Sequence, residues 1–183
     1  MHISIAGNLG SGKSTICNIL SRKYGFEIYS TGALHREIAR QHNVSTLEMN
    51  RLMAEDRRFD NAIDDAITRV SIEKSGETVI FDSRMAWHFA IDSFKVFVTV
   101  DPCEAARRVI NARRGAVETY TSEADAREKL IERGRVENER FMQLYNVDNF
   151  CHTNYDLVID STNTTPEELA KIVYCEFMNR RPQ

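Results

Sequence analysis

Proline is scarce in this chain: Pro102, Pro166 and Pro182 are the only three among 183 residues. With no internal repeat and no low-complexity tract, nothing marks a linker, and residues 1–183 read as one continuous domain. Cysteine is also sparse. Cys17, Cys103, Cys151 and Cys175 lie far apart and form no CxxC pair. That spacing argues against a disulfide framework or a zinc site and for scattered thiols in a reducing cytoplasm. No apolar run approaches the ~20 residues of a membrane-spanning helix. The apolar start at residues 3–6 runs at once into a Gly-rich motif, so no signal peptide is expected. Excess basic charge is missing as well: 24 Lys+Arg against 27 Asp+Glu leave −3, which argues against a non-specific nucleic-acid binder. At 42% hydrophobic and 28% charged, the composition is that of a folded globule rather than a disordered segment.

What the chain does contain is arginine. Of its 24 basic residues 18 are Arg and 6 are Lys. The planar guanidinium fork holds phosphate oxygens two at a time, so the skew leans toward phosphate handling. Five short β-rich runs, at residues 2–6, 26–29, 78–82, 96–100 and 156–160, are mostly continuous apolar stretches, as in strands covered on both faces. Helical segments alternate with them. Residues 13–24 carry Ile16, Ile19 and Leu20 on one face and end at Gly25; residues 31–41 and 47–73 hold two or three more helices, with Ser45 and Glu48 in a capping-box pattern. Asp101–Pro102 opens a helix over residues 103–114, a long charged helix spans 122–144, and Thr165–Pro166 opens the last. Strand–helix alternation predicts an α/β fold with a parallel sheet, right-handed crossovers and helices on both faces.

Residues 7–14, GNLGSGKS, match G-x-x-x-x-G-K-[ST] between a strand and a helix, the setting this motif requires. Glycines let the backbone wrap phosphate oxygens while successive N–H groups point inward at a helix N-terminus. The candidate donor site is therefore Gly7, Asn8, Leu9, Gly10, Ser11 and Gly12 with Lys13, Ser14 and Thr15. Lys13 would neutralise the β- and γ-phosphates of ATP, and Ser14 would hold Mg²⁺. An NKxD, a DxxG switch and an LSGGQ-like signature are absent. Asp82 ends a Walker-B-like strand, but Ser83 follows where many ATPases place a catalytic Glu. A small kinase remains.

Three further segments carry a resemblance. Residues 30–37 (STGALHRE) resemble the STG-x-x-x-R segment of nucleoside monophosphate kinases, and residues 79–84 (VIFDSR) their hhh-[DE]-G-R. Residues 132–141 (ERGRVENERF) are similar to the Arg-rich lid of the cytidylate kinase branch, as are residues 144–148 and 155–160 to its archaeal-type members. The resemblance implies a P-loop three-layer α/β/α fold with a five-stranded sheet. It divides the chain into a core (1–30, 77–115 and 155–183), a nucleotide-binding helical segment (31–76) and a lid (about 116–150), of which residues 122–144 are expected to move on binding. It also implies roles. Ser30, Thr31, Gly32 and Arg36 would take the acceptor's phosphate, with Arg84 holding it from the opposite side. Asp82 would orient Mg²⁺. Arg133, Arg135 and Arg140 would close over the transferring group, and Arg108 or Arg113 would meet the adenine or the lid. Two departures stand out: the family's Gly is Ser83 here, which restricts that turn, and Gly134 replaces the first acidic residue of the bacterial lid pattern.

Asp60 and Asp64 read as a solvated helix face, with contact to a nucleobase as the alternative. Trp87 and His88 either line an acceptor pocket or simply pack. Cys151-His152 is no metal site, and His2, His35 and His42 support nothing specific. The expected partners are small nucleotides, ATP as donor and CMP or dCMP as acceptor, acting on a cytoplasmic monomer with no nucleic-acid or membrane partner. Two other readings remain open: a kinase for another metabolite such as dephospho-coenzyme A, and a nucleotide-binding regulator that transfers nothing.

Overall fold

The computed structural model describes residues 1–55, 58–112 and 119–181. Five strands, β1 (His2–Gly7), β2 (Glu27–Ser30), β3 (Val79–Asp82), β4 (Ser93–Thr99) and β5 (Leu157–Asp160), form one parallel sheet in the order β2-β3-β1-β4-β5. The central strands β1 and β3 are buried at every position, as expected of strands covered on both faces; the polar His2 and Ser4 of β1 are buried with the rest. The sheet forms as expected, but β4 starts three residues earlier than its apolar run, because Ser93, Phe94 and Lys95 already pair with His2, Ile3 and Ser4.

Alternating side chains send two sets of residues to the two faces. On one face Ile3, Ile5, Ile80, Val96 and Val98 meet Ile16, Ile19 and Leu20 of α1 (Lys13–Tyr24) and Leu169, Val173 and Phe177 of α8 (Pro166–Arg180). On the other, Val79 and Phe81 meet Ile67 of α4 (Arg58–Glu73) and Ala86 of α5 (Ala86–Phe89). Fully burying each such side chain contributes about 1.5–3 kcal/mol. The four residues of α5 carry no readable period, and sequence reasoning missed it.

Helix ends follow local chemistry. Gly25 closes α1 in the left-handed region at φ 75°, its N–H donating to Ser21 O. The Asp101 carboxylate accepts from the N–H groups of Cys103 and Glu104 ahead of α6 (Pro102–Asn111). Thr165 and Glu168 form a reciprocal capping box at α8, and Ser45 Oγ accepts from Glu48 N at 3.1 Å as α3 (Thr46–Glu55) begins. α2 (Thr31–Gln41) leads directly from β2. The long helix α7 (Glu123–Tyr145) packs Ala126 and Leu130 on Ala105, Ala106 and Val109 of α6. Farther along the same stripe, at helical spacing, its buried residues are Arg133, Glu137 and Arg140, followed by Phe141. A face normally filled by apolar residues here turns charged and faces α3 and α4. Among the described residues no helix is long and apolar enough to cross a membrane.

Candidate active site

The C-terminal edge of the sheet opens on a cleft between the Gly-rich loop and the helices α2, α3, α4 and α7. Parallel sheets place ligands at this edge because their strand-to-helix turns converge there. The loop's shape depends on glycine. A β-carbon at Gly7, where φ is +153°, would lie 2.4 Å from Val98 O, and one at Gly10 would lie 2.9 Å from Ala105. The loop is thus pressed onto β4 and α6 while its other side faces the cleft. Gly12 caps α1 at φ 81° with no side-chain bond, so the first-turn N–H groups and the positive end of the helix dipole point out of the loop.

Strand pairing sets Asp82 beside this loop, since β3 aligns it with Ile5 on one side and Ser30 on the other. Lys13 Nζ donates to Asp82 Oδ1 at 2.9 Å, Ser14 Oγ to Oδ2 at 2.6 Å and Ser30 Oγ to Oδ2 at 3.3 Å. Burial would raise the Asp82 carboxyl, but Lys13 and the two hydroxyl donors hold it below its ordinary value. Ser14 and Asp82 offer adjacent hard oxygens, a set that suits Mg²⁺ sharing its remaining positions with phosphates and water. Among the described residues no cluster of three His, Cys, Asp or Glu forms a closed metal cage.

Two residues past Asp82, the Arg84 guanidinium donates from Nη1 to Gly7 O at 2.7 Å, and its Nε forms an ion pair with Glu137 Oε2. Arg133 Nε donates to the other oxygen of Glu137 at 3.1 Å, joined by Asn50 Nδ2 at 2.8 Å. Glu137 is thereby gripped by two arginines and an amide. Burial alone would raise its carboxyl; Arg84 and Arg133, with His35 and Asn50, outweigh that and hold it at about 2. The polar chain continues inward. Arg140 Nη1 donates to Asn50 O at 3.1 Å and pairs with Asp60, Nε to Oδ2, at 3.2 Å; Tyr145 Oη donates to Asp64 Oδ2. His35 Nε2 lies 2.9 Å from Asn50 Oδ1, and burial followed by the Arg133 charge lowers the imidazole to about 4, leaving it neutral near pH 7.

The cleft brings Lys13, Ser14, Thr31, Gly32, Arg36, Asp82, Arg84, Arg133 and Arg140 to one place. Arg36, on the first turns of α2, has its Nη1 3.6 Å from the β-carbon that Gly32 lacks. Arg135 does not join them. It lies on the outer side of α7, paired with Glu132 and Glu139, beside a second hollow that also touches Asn8, Leu9 and Arg127. Arg108 donates to Ser161 and Thr162 and pins the turn after β5; Arg113 is outside the described residues.

Several expectations are corrected. Asp60 and Asp64 are not a solvated face: they are 5% and 7% exposed and line the cleft. Trp87 is packing, buried against Tyr155 with its indole N–H donated to Asn149. Ser83 is not among the described non-glycine residues with positive φ, which are Asn43, Asp92 and Asn146, so its turn does not require glycine. His35, Asn50 and Glu137 went unassigned. For Glu137 the signal was available, as it sits on the buried stripe of α7 between Arg133 and Arg140.

Residues 2–163 match the family model described as the cytidylate kinase-like family. The chain belongs to that family. It is 33% identical over 181 residues to the cytidylate kinase of Sulfurisphaera tokodaii, covering 97% of each chain. To the cytidylate kinase of Sulfolobus acidocaldarius it is 31% identical over 175 residues, covering 94% of this chain and 92% of the other. The fold is also that of shikimate kinase from Bacteroides thetaiotaomicron, at a TM-score of 0.60 and 15% identity over 98% of both chains. The family is one of phosphotransferases, and the chain is a nucleoside monophosphate kinase with the P-loop α/β/α fold.

Proposed function

We propose that this enzyme moves the γ-phosphoryl group of ATP to CMP or dCMP. The observation that carries the reading is the position of Arg84. It touches the phosphate loop through Gly7 O at 2.7 Å and shares the Glu137 carboxylate with Arg133, so two guanidiniums flank an anion in the cleft that Lys13 also lines. A donor triphosphate on residues 7–15 and an acceptor phosphate between Arg36 and Arg84 would meet there. The core (1–30, 77–115 and 155–183) carries the loop, residues 31–76 receive the acceptor, and the lid of about 116–150 supplies Arg133 and Arg140.

The acceptor's phosphate oxygen is already anionic at neutral pH, so attack on phosphorus needs no dedicated general base. The barrier is repulsion between two polyanions. Lys13, Arg36, Arg84 and Arg133 lower it by stabilising charge on the transferring oxygens, and holding donor and acceptor in line contributes most of the rest. Ser14 and Asp82 would hold Mg²⁺, which would supply further charge neutralisation; Lys13, paired with Asp82 at 2.9 Å, would exchange that carboxylate for phosphate oxygens. Ser30, Thr31 and Gly32 close the acceptor side. Covering of the site by α7 keeps water from intercepting the phosphoryl group. Arg135, turned outward, would serve the lid's outer face rather than the acceptor.

A coupled assay of ADP release with ATP and Mg²⁺ across CMP, dCMP, UMP, AMP, GMP and dephospho-coenzyme A tests this reading. Release dependent on CMP or dCMP is the expected result. Release with dephospho-coenzyme A alone, or none with any acceptor, would overturn it.

A further inference from the structure

The inner end of the cleft, away from Lys13, has a composition that phosphate transfer does not require. Helix α4 presents Asp60 and Asp64 one turn apart, both more than nine-tenths buried. Met53, Ile63 and Phe141 supply apolar walls around them. Asp60 Oδ2 and Arg140 Nε lie 3.2 Å apart, yet neither buried atom has a hydrogen bond of proper direction. The two atoms face each other as an ion pair, each without a directed hydrogen bond, on residues that line the cleft. Buried polar atoms of this kind are costly unless something completes them. The contacts Arg84–Glu137, Glu137–Asn50, Asn50–Arg140 and Arg140–Asp60 connect this end to the phosphate loop. A nucleotide whose phosphate met Arg84 could lay its base along that line.

Resting on the kinase reading above, we propose that Asp60 and Asp64 read the exocyclic amino group of the acceptor's base, with Arg140 answering its ring acceptors, so that cytosine is taken and uracil refused. An ionised carboxylate only accepts hydrogen bonds. The Watson–Crick edge of cytosine offers an amino donor beside the N3 and O2 acceptors, which complements a carboxylate next to a guanidinium. Uracil reverses two of these groups: its O4 would face a carboxylate oxygen, acceptor against acceptor, and its N3–H would face the arginine. In a buried site that mismatch leaves polar groups unpaired on both sides, the situation in which discrimination is large. The flat apolar walls suit a planar ring but do not distinguish one pyrimidine from another.

The test compares kcat/KM for CMP, UMP and the 2-pyrimidinone ribonucleoside monophosphate, which keeps N3 and O2 but has no amino group. With the wild-type enzyme, CMP is expected to exceed both others by at least about tenfold. Asp60→Asn, whose amide can donate to O4, is expected to lower the CMP-to-UMP ratio by at least about tenfold. It should do so partly by raising the UMP value, which loss of folding cannot do. Equal use of CMP and the 2-pyrimidinone nucleotide by the wild type would overturn the proposal while leaving the kinase reading intact, and needs no variant. A folded Asp60→Asn enzyme whose CMP and UMP values fall in parallel would also overturn it. Absence of turnover with every nucleotide would instead overturn the kinase reading.

Discussion

The phosphate loop rests on a sheet whose flanking residues Ile3, Ile5, Ile80, Val96 and Val98 are buried and apolar. Across the cleft, α3, α4 and α7 bury Asn50, Asp60, Asp64, Arg133, Glu137 and Arg140 against one another. Apolar burial is non-directional and has no better partner to exchange for, so it fixes the loop in place. Buried ion pairs contribute little net stability, because desolvation offsets their attraction. Their partners can be exchanged for a nucleotide's own charges and hydrogen bonds at small net cost. One side of the cleft is therefore a support, and the other is a surface that can trade contacts.

The strongest way to break this contrast is to remove chemistry from the supporting side without removing its packing. Lys13→Ala should lower turnover by about 10³-fold or more while a cooperative unfolding transition persists; retained turnover in steady-state assays would remove Lys13 from the mechanism. Next in size, Phe81→Ala in β3 should cost about 3–5 kcal/mol in denaturant unfolding, since Phe81 is wholly buried between the sheet and α4. A loss under ~1 kcal/mol would contradict apolar support.

Backbone hydrogen exchange sharpens the comparison. A bisubstrate analogue should slow exchange in α7 and leave β1 and β3 almost unchanged; equal protection of α7 with and without it would rule out lid motion. The smallest effect concerns Asp64. Burial pushes its carboxyl up to about 6, partly countered by the Tyr145 hydroxyl and reinforced by Asp60, with Asp65 and Arg140 also near. Its folded value exceeds its unfolded value of 3.8, so ionisation costs stability above about pH 6, and that cost disappears as the pH falls toward 4. Asp64→Asn should accordingly raise Tm by roughly 2–4 °C at pH 8 and hardly at all at pH 4. A gain independent of pH would point to packing instead.

The supporting side was largely legible from sequence, because its signals are local. The spacing GNLGSGKS, the continuous apolar strands, and the caps at Asp101–Pro102 and Thr165–Pro166 each declare themselves within a few residues. The trading side was not. Asn50 meets Glu137 across 87 positions, and Tyr145 meets Asp64 across 81. A carboxylate that faces another helix's arginine has the same helical spacing as one that faces water. Asp60 and Asp64 therefore read as solvated, and the family motif alone put Arg135 beside Arg133. One clue did lie within a single helix: Ala126, Leu130, Arg133, Glu137 and Arg140 keep one stripe, so the burial of the first two foretells that of the others.

Asp82 owes its position to the alignment of β3 with Ile5 and Ser30. Side chains alternate along a strand, so a slip of a single residue would turn this carboxylate to the opposite face, away from Lys13 and Ser14. Phosphoryl transfer then becomes a gauge of correct strand registration. A chain that has collapsed with its third strand misaligned would hold most of its buried surface and every residue of the loop, and still be inert.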